Sequence, residues 1–144
     1  MKHTMKAALP LLLILVCLLS LTACTNTDAV KKDGLWENAV YLQDTEFGSG
    51  SKTAVVEVSV EDQIVTFTVH TDADTVGAAL LEHELIDGEE GAYGLYVKVV
   101  NGITADYDVD KSYWAFYVDG EYASTGVDTT QIAENAVYRL EYTK

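Results

Sequence analysis

Cysteine, histidine, proline and basic residues are all scarce in this 144-residue chain. The two cysteines are Cys17, inside an apolar N-terminal run, and Cys24, just after it. With one thiol left beyond that run, a disulfide framework and a cysteine-ligated metal are excluded. Of three histidines, only His70 and His83 lie beyond the run. His83-Glu84 lacks the second histidine of a zinc-protease helix, so His83 is read as a helix-surface or half-buried residue, and His70, a polar-face strand end, is read the same way. No Gly-x-Ser-x-Gly, phosphate loop or dinucleotide fingerprint occurs. Nine basic residues face 23 acidic ones, for a formal net charge of −14. Such a surface repels nucleic acid and anionic lipid headgroups and suits neutral or cationic partners. The sequence therefore reads as a non-enzyme with no cofactor and no metal site.

What is present begins with a leader. Lys2 and Lys6 precede an apolar run, Ala7 to Leu21, broken by Pro10, the chain's single proline. A charged start, an apolar stretch and small residues at its end make a secretory signal, and the run is short for a membrane span. Leu21-Thr22-Ala23-Cys24 resembles the bacterial lipobox, which implies cleavage before Cys24 and a lipid on its thiol. The expected organisation is a lipoprotein signal peptide over 1–23 and a lipidated Cys24 with a flexible tether over 24–52. A domain over 53–144 follows, held at the outer face of the bacterial cytoplasmic membrane. All 23 acidic residues lie beyond Ala23, which makes the exported part more acidic still.

Alternation sets the expected strands. Ala54 to Val60 and Ile64 to His70 put Val56, Val58 and Val60, then Val65, Phe67 and Val69, on one face, and the short link argues for an antiparallel hairpin. Asp74 or Thr75 is placed to cap a helix of about three turns carrying Val76, Ala79 and Leu80, and Asp87-Gly88 ends it. Gly77 inside this helix signals close packing on the sheet. Tyr93 to Val100 reads as a strand turned by Asn101-Gly102. Leu35 to Leu42 is compatible with a strand or a helix. The last strand is expected at Ala136 to Tyr142. Hairpin, helix and further strands predict an α+β, β-grasp-like fold: a mixed or antiparallel sheet of about five strands with one helix packed across it.

The densest signal is Tyr113-Trp114-Ala115-Phe116-Tyr117-Val118, closed by Asp119-Gly120 as a hairpin turn. Trp114, Phe116 and Val118 share one face; Tyr113, Ala115 and Tyr117 share the other. A core explains one aromatic face. A second needs another reason, and exposed rings with a polar tip suit a binding surface. Asp106, Asp108 and Asp110 have the spacing of a calcium loop. Lys111 and Tyr117 stand where an EF-hand needs Gly and Glu, so these acids are read as a solvated loop.

Tyr93-Gly94-Leu95-Tyr96-Val97 through Asn101-Gly102, then Ser112-Tyr113-Trp114-Ala115-Phe116-Tyr117-Val118-Asp119-Gly120, then Gly126-Val127 and the final strand, resemble the transcobalamin C-terminal-like domain. This family occurs in bacterial surface lipoproteins and in the smaller domain of animal cobalamin carriers. The resemblance covers roughly Thr53 to Tyr142. It implies contacts to a corrinoid, or another flat apolar small molecule, from Tyr93, Gly94, Leu95, Tyr96, Trp114, Ala115 and Phe116. The carriers enclose their ligand with a second, helical domain, so here a partner surface protein is expected to close the site. The competing expectation is a cell-surface structural or protein-docking module.

Overall fold

The structure, a computed structural model, describes residues 29–144. The signal peptide, its cleavage point and Cys24 lie outside the described residues. Strands β1 (Thr45–Gly48), β2 (Lys52–Val60) and β3 (Gln63–Thr71) come first, then helix α1 (Val76–Glu82). Next are β4 (Ile86–Gly91), β5 (Gly94–Val100), β6 (Ile103–Thr104) and the helical turn α2 (Tyr107–Asp110). Strands β7 (Tyr113–Val118), β8 (Glu121–Tyr122) and β9 (Val137–Thr143) complete the chain.

The valine-rich hairpin forms as its alternation predicts. Strands β2 and β3 pair antiparallel, with Val58 opposite Val65 and Val56 opposite Phe67. These four side chains are fully buried, as are Val60 and Val69. The two-residue turn is made by Glu61, at φ +55°, and Asp62. On the far side of β2 runs β9, parallel to it; β7 then pairs antiparallel with β9, and β8 with β7. Strand β1 adds to β3 in parallel, giving the order β1-β3-β2-β9-β7-β8. A smaller antiparallel sheet, β4-β5-β6, closes at Asn101-Gly102. Asn101 there has φ +52°, as a tight hairpin turn of this kind requires.

These observations correct the expected fold. About 47% of the described residues are strand and 14% helical, so the fold is mostly β, not α+β of the β-grasp kind. The single five-stranded sheet is replaced by a six-stranded mixed sheet and a separate three-stranded one. Among the described residues one helix reaches seven residues. Thr75 caps it, its hydroxyl accepting from the Ala78 N–H at 3.2 Å, but it stops at Glu82 rather than running to Asp87. Leu85 and Ile86 then turn inward and Ile86 opens β4. Gly77 packs closely, though against a loop: its N–H donates to the Val127 carbonyl at 2.7 Å. A Cβ there would sit 2.9 Å from the Asp128 backbone.

One apolar layer joins the pieces. Helix α1 and the small sheet lie against the inner face of the large sheet, with Leu80, Val100, Ile103, Tyr138 and Leu140 buried between them. The segment expected to be a tether is packed from Val30 onward. A short 3-10 helix, Gly34–Asn38, buries Trp36 completely, and its indole N–H donates to the Val60 carbonyl at 3.3 Å. Tyr41, Phe47 and Phe67 then meet edge to face with centroids 5.1–5.7 Å apart. Burial of a tryptophan on this scale stabilises by several kcal/mol, enough to hold the segment down.

Candidate ligand-binding face

The aromatic strand divides its side chains between two environments. Trp114 is 7% exposed and Phe116 9%, both packed into the core, with Tyr142 edge-on to Trp114 and Tyr138 stacked with Phe116. Ala115 is buried as well, on the opposite face of the strand. The Trp114 indole N–H is enclosed without a hydrogen-bond partner among the described residues. These three residues, expected to touch a ligand, thus lie beneath the surface.

Tyr93 and Tyr96 are different. Tyr93 sits at the tip of the β4–β5 hairpin and is completely exposed, while Tyr96 is 41% exposed. Gly94 and Leu95 between them are half-buried. Their backbone is pinned by Asp128, whose Oδ2 accepts from the Leu95 N–H at 3.2 Å. Gly94 has φ +105°, and a Cβ there would lie 2.4 Å from that same oxygen. Strands β5 and β7 belong to different sheets, yet they lie against each other. The two halves of the sequence-predicted site are therefore brought together without a shared ladder.

Where they meet, Tyr96, Tyr107, Asp108, Tyr113 and Tyr122 line an open hollow of about 510 Å³. Tyr113 comes from the outer face of β7, opposite Trp114; Tyr122, on β8, packs edge-on against Tyr117 with centroids 5.4 Å apart. Tyr107 and Asp108 come from α2, which the sequence reading left as a loop. The aspartates expected in that loop build it: Asp106 accepts from the Asp108 N–H at 3.0 Å and caps the turn. Lys111 closes it in the left-handed region, at φ +68°, with its ammonium 4.7 Å from the Tyr107 ring centre. Asp110 accepts from the Ser112 hydroxyl at 2.5 Å and pairs with Lys144 at 3.1 Å. The Ser112 hydroxyl first, then Lys144 and the Ser112 N–H, hold the Asp110 carboxyl down to about 2. Lys98 pairs with Glu89 at 3.3 Å and Asp106 at 3.6 Å, and hydrogen bonding to Glu89 chiefly raises its pKa.

Asp106, Asp108 and Asp110 do not converge. Among the described residues no three His, Cys, Asp or Glu side chains are grouped to hold a metal ion. His70 is held instead on the outer face of β3, its Nε2 2.5 Å from Glu46 Oε1 and its Nδ1 3.1 Å from the Thr53 hydroxyl. His83 stacks at a tilt near Phe47, with centroids 5.6 Å apart. Tyr107, Tyr113 and Tyr122 line the hollow but are not among the residues the sequence pointed to, because the strongest aromatic signal, Trp114 and Phe116, belongs to the core. The alternation of β7 held the signal, since it sends Tyr113 away from the core.

The second half of the chain, residues 73–144, matches the family described as domain of unknown function DUF4430. The chain belongs to that family. A DUF4430 assignment carries no activity with it, so the solved structures matter more. A protein of Ruminococcus gnavus ATCC 29149, proposed to bind metal, is 32% identical to this DUF4430 protein with a TM-score of 0.61; the match covers 65% of this chain and 98% of that one. Haptocorrin, solved in complex with Cbi, matches with a TM-score of 0.52 at 20% identity, a likeness of fold. That match covers 68% of this chain but only 26% of haptocorrin, so this protein spans about a quarter of the carrier. Among curated proteins no match is found.

Proposed function

We propose that this protein is a non-enzymatic, lipid-anchored extracytoplasmic module that binds a flat, largely apolar small molecule, with a corrinoid as the leading candidate. The observation that carries the reading is the group of four partly exposed tyrosines around one hollow, at the junction of β5 and β7. In size the hollow falls within the ordinary range for small-molecule sites. The fold likeness to haptocorrin, whose structure holds Cbi, supports the choice of ligand. On this reading Tyr96 lines the hollow from β5, with Tyr93, Gly94 and Leu95 beside it on the same hairpin, and buried Trp114, Ala115 and Phe116 hold the strand that carries Tyr113. A site open on one side buries one face of its guest, so the module alone binds weakly and a partner surface protein completes the enclosure. Lipid anchoring through Cys24 would keep the module at the outer face of the cytoplasmic membrane.

Titration with cobalamin, followed by absorbance and intrinsic fluorescence, tests the proposal. It predicts a saturable change in the micromolar range. An unchanged signal up to high micromolar ligand would remove the corrinoid. A docking role remains the second reading, favoured by Tyr93, fully exposed, and Val109, 80% exposed, outside the hollow. It predicts capture of a membrane or wall protein that Tyr93→Ser abolishes, with no response to cobalamin.

A further inference from the structure

We infer that the tyrosine hollow selects for positive charge, and that its ligand presents an organic ammonium or another diffuse cation to Asp108. The inference rests on the placement of the ligand site given above, but not on any ligand scaffold. Four tyrosine rings line the hollow, and the face of each ring carries the negative end of its quadrupole. Asp108 is the one charged residue among the lining side chains. Its carboxylate makes no hydrogen bond or ion pair among the described residues, whereas its neighbours are committed: Asp106 to the α2 cap and Lys98, Asp110 to Ser112 and Lys144. Of the nearby cations, Lys98 is paired with Glu89 and Lys144 with Asp110, while Lys111 makes no ion pair among the described residues and rests over the Tyr107 ring.

A lone carboxylate among tyrosine rings, on a chain of net charge −14, repels anions and attracts cations. The Lys111 ammonium rests over Tyr107 at 4.7 Å, so one ring of the group already accepts a cation on its face. Diffuse cations gain most here, because a quaternary ammonium sheds water at low cost and meets several ring faces together.

The test compares choline with dimethylbutanol, its uncharged carbon isostere, on the full chain labelled at tyrosine ring carbons. Choline is expected to shift the Tyr96, Tyr107, Tyr113 and Tyr122 signals, with dimethylbutanol at least several-fold weaker. Asp108→Asn should weaken choline roughly two- to fivefold, the effect of one exposed charge, and added salt should do the same. Because the Asp108 carboxylate supports nothing else, that variant keeps the fold. Equal responses to both probes, or an Asp108→Asn variant that binds choline unchanged, overturn the inference and leave the flat-ligand reading standing. No response to choline also overturns it, and a cobalamin arm on the same labelled sample then decides the flat-ligand reading separately.

Discussion

Tyrosine and tryptophan are sorted by their polar tips. Both tryptophans, Trp36 and Trp114, are buried, while Tyr93, Tyr96, Tyr107 and Tyr122 are exposed. A phenol can lie on a surface with its hydroxyl in water, whereas an indole carries more apolar area and gains more from the core. The two kinds of substitution should therefore separate. Trp114→Ala is expected to lower stability by about 3–5 kcal/mol, as large core truncations do. Tyr96→Ala should change it by less than about 1 kcal/mol. Thermal unfolding of the two variants checks this, and equal losses would mean that Tyr96 is structural. Asp110 gives a second prediction at this scale. Its folded pKa is about 2, against an ordinary 3.8, because the Ser112 hydroxyl and then Lys144 favour the carboxylate. A depressed carboxylate contributes stability above its unfolded pKa and loses it as pH falls through the folded value. The α2 turn should hence loosen between about pH 4 and pH 2. Ser112→Ala should move the Asp110 titration, read by NMR, back toward 3.8.

Among the elements, the β4–β5 hairpin is the one on which the site depends. Nothing in Ile86-Asp87-Gly88-Glu89-Glu90-Gly91 favours a strand; it is acidic and glycine-rich, and it pairs because valine-rich β5 lies beside it. This explains why the second sheet was not legible while the β2–β3 hairpin was. The latter declares itself through valines alternating on one face; the former exists only in tertiary context. Strand β1 was hidden for the same reason, since a four-residue parallel edge strand has no local signal of its own. The α2 turn was hidden by its aspartates, which suggest a loop until Asp106 is seen to cap it. Tyr93 and Tyr96 are exposed on the β4–β5 hairpin, but the separate sheet that carries them was not legible. Asp128 ties this hairpin to the loop before β9, and Gly94 leaves room for the tie. Gly94→Ala forces a Cβ onto the Asp128 carboxylate at a positive φ, with an expected cost of about 1–3 kcal/mol. Asp128→Ala should speed amide exchange at Leu95 with little effect in β2 and β3. Unchanged exchange at Leu95 would mean that the hairpin is held by its packing alone.

For the molecule as a whole, the proposed function makes the acidic surface and the open tyrosine face one half of a binding device. The segment Val30 to Gly48 is fastened to the core by buried Trp36 and Ala39 and half-buried Leu35, Tyr41, Leu42 and Phe47, which shortens the reach of any anchor at Cys24. If Cys24 carries a lipid, Cys24→Ser should move the protein from the membrane fraction to the soluble one without changing its melting temperature. Retention of that variant on membranes would place the anchor elsewhere.

The central claim is that a guest lies on the tyrosine face, above a buried tryptophan. Ring-labelled tyrosine NMR with added cobalamin tests it most directly. Saturable shifts confined to Tyr93, Tyr96, Tyr107, Tyr113 and Tyr122, with Tyr138 unmoved in the core, are the predicted result. Shifts at Tyr138 or Tyr41 alone, or none at any tyrosine, would contradict it.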